Sequence, residues 1–221
     1  MVSVIIPAWN EAQTIDAIIK SAITHPWVRE VIVVNDGSID GTRDVAEKAG
    51  ATVISLRENL GKGHALDVGV KRAQSDTLLF LDADVLGVTH EIISFMIRKV
   101  RDEKYDLFVG IRGRKLFWMN KLLRITPILG GERILRRELW EAVPRIYKNR
   151  FEIEIATNYY AKRGGRRMGF AIILGMHHVI KEKKHGLWKG LKERARMIGN
   201  ILDVSLRIYV GETVRRMVDR S

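Results

Sequence analysis

The apolar run Thr77–Leu81 ends in Asp82-Ala83-Asp84, two carboxylates separated by one residue. A short, continuous apolar run without polar alternation reads as a buried parallel strand. The carboxylates therefore stand at a sheet edge, where they repel each other. A divalent cation would relieve that repulsion, and Mg²⁺ or Mn²⁺ prefers oxygen ligands that it shares with substrate phosphates. An Asp-rich strand-end turn is the competing explanation. The segment Asn59-Leu60-Gly61-Lys62-Gly63 supplies the complementary charge. Gly61 and Gly63 let backbone approach a diphosphate, and Lys62 can neutralise it. A helix opening there presents free N–H groups and the positive end of its dipole. The spacing is not that of a P-loop, which argues against an ATPase. Asp36, in Asp36-Gly37-Ser38, reads alone as an Asx-turn or capping residue. Glu11 reads alone as a first-turn helix carboxylate.

Such loops need a frame, and the first half of the chain provides one. Strands are expected at Val2–Ile6, Val31–Val34, Thr52–Ser55, Thr77–Leu81 and Leu107–Gly110, alternating with helices at Glu11–Thr24, Thr42–Ala49, Lys62–Ala73 and His90–Arg101. This rhythm implies an α/β fold, a mainly parallel sheet with helices on both faces. Right-handed crossovers place the loops after the strands along one edge, where open α/β sheets bind ligands. In the second half, helices are expected at Glu132–Val143, Arg150–Arg163 and Trp188–Val210, and a strand at Arg167–Leu174. With no repeat or low-complexity linker, residues 1–221 read as one domain, a nucleotide-sugar half (1–110) and an acceptor half (111–221).

A hydrophobic share of 46% and a charged share of 29% belong to a folded globular chain. The net charge of +12 calls for an anionic partner, be it nucleic acid, a membrane surface or phosphorylated small molecules. There is no cysteine, so no disulfide framework or thiolate metal site exists. The opening Met1–Pro7 reads as a first strand rather than a signal peptide, which fits a cytoplasmic location. The helix Trp188–Val210 sets Lys189, Lys192, Arg194 and Arg196 beside an apolar stripe. Such a helix can lie on the inner face of an anionic membrane, or serve as core or a homodimer contact. Arg133, Arg136 and Arg137 are of the type that clamps an anionic acceptor.

In chain order, Val4-Ile5-Ile6-Pro7-Ala8-Trp9-Asn10-Glu11, Val34-Asn35-Asp36-Gly37-Ser38 with Asp40-Gly41-Thr42, Asn59–Gly63 and Leu81-Asp82-Ala83-Asp84 resemble the motifs of family 2 glycosyltransferases of the GT-A fold. The resemblance runs from Met1 to about Leu174. Gly130-Gly131-Glu132-Arg133, Phe151-Glu152-Ile153-Glu154 and His177-His178 are similar to a narrower set, the polyprenyl-phosphate glycosyltransferases and glucosyl-3-phosphoglycerate synthases. The resemblance implies a metal-dependent hexosyltransferase using a UDP- or GDP-linked sugar, with a polyprenyl phosphate or phosphoglycerate as acceptor. It implies that Pro7, Ala8, Glu11, Asp36, Gly61, Lys62 and Asp82 bind the nucleotide. Asp84 would hold Mg²⁺ or Mn²⁺, joined by His178, with His177 as the competing ligand. Glu154 and Glu132 would orient sugar or acceptor, and Gly130, Gly131 and Arg133 would line that subsite. Both retaining and inverting outcomes occur among such enzymes.

A nucleotidyltransferase making nucleotide sugars is the enzymatic alternative. It should carry a Gly-rich loop after the first strand, where Ala8-Trp9-Asn10-Glu11 stands instead. A non-catalytic nucleotide- or nucleic-acid-binding protein is the other, but no nucleic-acid-reading motif accompanies the charge.

Overall fold

The computed structural model describes residues 1–112, 130–148, 152–178, 203–204 and 206–211. The chain divides into two compact units, Met1–Val179 and Ile180–Ser221. In the second, 203–204 and 206–211 are helical, Ile208 is buried and Arg207 pairs with Asp203 at 2.9 Å. The remainder of the expected helix 188–210, with its lysines and arginines, lies outside the described residues, as does most of the basic stretch after Arg112.

The first unit runs β1 (Val2–Ala8), α1 (Ile15–Ile23), β2 (Val28–Asn35), α2 (Thr42–Lys48), β3 (Thr52–Ser55), α3 (Lys62–Arg72), β4 (Thr77–Phe80), β5 (Val85–Leu86), α4 (His90–Arg101) and β6 (Leu107–Arg112). It continues with β7 (Glu132–Arg136), α5 (Arg137–Ala142), a 3₁₀ turn (Arg145–Tyr147), α6 (Glu152–Arg163), β8 (Met168–Ile173) and β9 (His177–His178). Seven strands form a sheet in the order β3-β2-β1-β4-β7-β6-β8. Only β7 among them runs against the rest, pairing antiparallel with both β4 and β6. The apolar runs of β1, β2 and β4 are buried on both faces, as parallel strands require. On one face Ile15, Ile18 and Ile19 of α1 and Ile93, Met96 and Ile97 of α4 close the core. On the other, α3 packs so near β1 that a Cβ on Gly69 would lie 2.5 Å from Ile5 Cγ2.

The structure corrects the helix expected over Glu132–Val143. Its first part is β7, and only Arg137–Ala142 is helical. Glu, Arg and Leu are good helix formers, but tertiary context overrides propensity. Ile134 and Leu135 point to opposite faces and both are fully buried in the slot between β4 and β6. The reversal has a consequence for function. An antiparallel β7 starts where β4 ends, so Gly130-Gly131 is delivered beside Asp82. A second feature unseen in the sequence is the ribbon β5–β9, which pairs Val85 with His178 and Leu86 with His177.

Candidate active site

The site grows from the carboxyl ends of β1, β2 and β4. The Asp36 N–H donates to the Ala8 carbonyl at 2.8 Å, fastening the β1 and β2 ends together. The Asp36 carboxylate, only 3% exposed, accepts from the Leu60 N–H and the Gly61 N–H, each at 2.8 Å. Gly61 has φ +92°, a conformation that favours glycine, and it opens α3 directly. Asp36 therefore holds the turn that presents the α3 N-terminus. The resemblance implies a nucleotide contact for Asp36; in the structure each of its oxygens also accepts from one amide of the loop.

The loop after β1 is clasped to the loop after β2. The Asn10 N–H donates to Ser38 Oγ at 2.9 Å, the Ile39 N–H to Asn10 Oδ1 at 2.9 Å, and the Glu11 N–H to Thr42 Oγ1 at 2.8 Å. Pro7 and Glu11 are half-buried beside this clasp, and Ala8 is buried. Thr14, which the sequence did not single out, donates from Oγ1 to the Ala83 carbonyl at 2.7 Å. It fixes the turn between the paired aspartates. Its one sequence signal is a hydroxyl at a helix start, three residues after Glu11.

At the centre stands Lys62, the first residue of α3. Its Nζ lies 2.7 Å from Asp82 Oδ1 and 2.9 Å from Glu154 Oε1, with the three side chains 18%, 17% and 11% exposed. Arg133 continues the row, its guanidinium 3.9 Å from Glu154 Oε2. Signs alternate along Asp82, Lys62, Glu154 and Arg133. Burial alone would depress the Lys62 ammonium, but the facing carboxylates of Asp82 and Glu154 outweigh it and raise its pKa. Burial lowers Arg133 below its ordinary value, against the pull of Glu154, Asp82 and Glu132. It stays charged, as guanidinium groups do.

The arginines do not form the expected acceptor clamp. Arg133 is 3% exposed and donates to the Gly130 carbonyl at 3.1 and 2.8 Å and to the Glu154 carbonyl at 3.3 Å. Arg137 donates to the carbonyls of Val70, Ala73 and Ser75, closing the end of α3. Arg136 donates to Thr77 Oγ1 at 3.1 Å. Their donors are spent on buried backbone and side-chain oxygens, which must be paired when removed from water. Arg133 braces the Gly130-Gly131 turn from within. Glu132 is fully buried in β7 opposite Gly110, so it presents no surface to a substrate.

Asp82 lies so close over Gly131 that a Cβ there would be 1.9 Å from its Oδ2. Asp84 is half-buried at the same edge. The β5–β9 ribbon pairs the backbone of His178 with Val85, next to Asp84, while the His178 side chain falls outside the described residues. His177 is exposed, with Nδ1 3.2 Å from the Gly175 carbonyl. Among the described residues, no three His, Asp or Glu side chains converge into a complete cation cage.

Comparison with known proteins bears on the family and the fold. Residues 3–150 match the family model described as "Glycosyl transferase family 2". An undecaprenyl-phosphate 4-deoxy-4-formamido-L-arabinose transferase of Serratia proteamaculans is 30% identical over 189 residues, covering 73% of this chain and 57% of that one. A 4,4'-diaponeurosporenoate glycosyltransferase of Staphylococcus aureus is 36% identical over 102 residues, covering 44% and 27%. The chain thus spans little more than half of the first relative and about a quarter of the second. Among solved structures, glucosyl-3-phosphoglycerate synthase from Mycobacterium tuberculosis, in complex with Mn²⁺, UDP-glucose and phosphoglyceric acid, superposes with a TM-score of 0.76 at 23% identity. The match covers 93% of this chain and 78% of that chain, and it shows the GT-A fold that the sequence led one to expect.

Proposed function

The chain belongs to glycosyl transferase family 2, and on that premise we propose that it moves a sugar from a UDP- or GDP-linked donor to an anionic acceptor with the help of Mg²⁺ or Mn²⁺. The acceptor we propose is a polyprenyl phosphate or a small phosphorylated acid. The relatives support this: one is named for an undecaprenyl-phosphate transfer, and the solved synthase carries Mn²⁺, a UDP-sugar and phosphoglyceric acid. The observation that carries the reading is the meeting of Lys62 and the α3 N-terminus with Asp82 and Asp84 at one sheet edge. A cradle for a diphosphate thereby faces carboxylates suited to a hard cation.

The residues present fit such an ion. Asp84 is the proposed direct ligand, on the strength of the family resemblance, with Asp82 supporting the ion or its waters and His178 the proposed nitrogen donor. When bound, the ion would supply positive charge to the departing nucleoside diphosphate. The amides opening α3 would bind the phosphate oxygens, and Lys62 would add its charge to them. Glu154 would hold Lys62 in line. A phosphate acceptor is already an anion and needs no base to remove a proton. That fits a site in which Glu154 is committed to an ion pair with Lys62.

No helix among the described residues is long and apolar enough to cross a membrane. We place the chain at the inner membrane face through its basic amphipathic C-terminal sequence, where a lipid phosphate would be met. That sequence can also serve a homodimer.

Titration calorimetry of UDP, GDP and ADP, with and without Mn²⁺, tests the reading. One diphosphate should bind more tightly than the other two, and tightly only with the ion. Binding by none, or equal binding without Mn²⁺, would overturn it. A local check is Gly131→Ala. Its Cβ must push Asp82 aside, and an ångström of displacement in a reacting site costs about 10²-fold. Transfer rates should fall by about that factor, and an unchanged rate in a folded variant would remove Asp82 from the chemistry.

A further inference from the structure

Lys62 is in an unusual place for a cation. It is the first residue of an 11-residue helix whose first turn contains no acidic side chain. A positive charge there opposes the helix dipole and weakens the helix. What keeps it in place comes from elsewhere in the chain: Asp82 after β4 and Glu154 in α6. The ammonium touches Asp82, which stands two residues before the proposed cation ligand Asp84 and is proposed to support the ion or its waters. It also stands at the helix end where an anion would be received. Both a divalent ion and Lys62 cannot sit on Asp82 without strong repulsion in this partly buried setting.

We propose that Lys62 is an ionic latch with two positions. It rests on Asp82 and Glu154 and thereby opposes binding of the divalent cation. It turns to the diphosphate when the nucleotide enters, which frees Asp82. Nucleotide and cation are then positively coupled through Lys62, each raising the affinity of the other by the same factor, as linkage demands. Glu154 is the positioning residue that shares the ammonium charge and so sets how strongly Asp82 is occupied. The cation is kept off until the donor arrives, which protects the paired aspartates from idle occupancy. The inference rests on the donor site proposed above.

The test is Mn²⁺ titration of the whole chain, followed through the paramagnetic resonance signal of free Mn²⁺, with and without UDP. Without nucleotide, Lys62→Met should bind Mn²⁺ at least about tenfold tighter than the unaltered protein, and the coupling to UDP should shrink by the same factor. Lys62→Arg keeps the charge and should behave as the original. Glu154→Gln leaves the whole ammonium charge to Asp82 and should weaken Mn²⁺ binding. These opposite signs separate a latch from a merely structural ion pair, whose loss would weaken binding in both variants. The latch is overturned if Lys62→Met binds Mn²⁺ no tighter, or if Glu154→Gln binds it tighter. Should Lys62→Met not fold, Lys62→Gln takes its place: tighter Mn²⁺ binding without nucleotide supports the latch, and unchanged or weaker binding overturns it. If the unaltered protein binds no Mn²⁺ with either UDP or GDP, the donor-site reading fails. If it does bind and the variants do not diverge, only the latch fails.

Discussion

Alanine at position 84 is expected to lower sugar transfer by about 10³-fold while leaving the fold intact, the upper end of what loss of one group stabilising developing charge costs. The argument starts from the charge balance at the sheet edge. Asp82 shares its charge with Lys62 at 2.7 Å. Asp84, half-buried two residues on at the same sheet edge, is the carboxylate proposed to face a hard cation. Without it, Mn²⁺ would have to bind through Asp82 against the repulsion of Lys62. Stability should change little, because Asp84 lies outside the buried core of β4 and the turn is held independently by Thr14 on the Ala83 carbonyl. Initial rates of nucleotide release across a Mn²⁺ series, with a melting curve on the same sample, read both quantities. A rate within tenfold of the original at saturating Mn²⁺ would sink the assignment and move the ion elsewhere.

How far such a site can be read in advance depends on the range of the forces that build it. The strands β1, β2 and β4 were legible because each is a short apolar run buried on both faces, a local signature. Three of the four polar loops follow these strands and the fourth follows β3, and topology gathers strand ends on one edge. Glu132–Arg136 was not. Its composition favours helix, and only the vacant slot between β4 and β6 makes it a strand. The misreading carried into the site, since Arg133, Arg136 and Arg137 on a helix could be read either as an anion clamp or as a basic helix face. In the sheet their donors meet carbonyls. The Lys62–Glu154 contact joins residues 92 apart, and nothing local in either segment announces it. Lys62 did carry one clue: a cation opening a helix asks for compensation from outside.

Replacing Asp36 should have the other large effect, and its pattern decides what Asp36 does. The carboxylate accepts from two adjacent backbone amides, Leu60 and Gly61, while almost wholly buried. Asp36→Ala strands both N–H groups, at about 1–3 kcal/mol each if no water replaces the acceptor. Asp36→Asn keeps one accepting oxygen and turns an NH₂ toward the second amide, donor against donor. Either way the turn around Gly61 loses the support that holds its φ of +92°, and the α3 N-terminus with Lys62 shifts from its aim. Donor affinity should fall by about 10²-fold, the cost of an ångström of misplacement at a reacting centre. A residue that holds the loop acts on the diphosphate end, so UDP, GDP and ADP should all weaken by a similar factor. A residue that reads the base would instead alter their ranking and leave any shared diphosphate affinity standing. Titrating the three nucleotides against Asp36→Asn with Mn²⁺ present separates the two. Uniform weakening with a lowered melting temperature fits the hydrogen bonds seen here. A changed ranking at unchanged overall strength would return Asp36 to the base, with the Leu60 and Gly61 amides as its secondary partners.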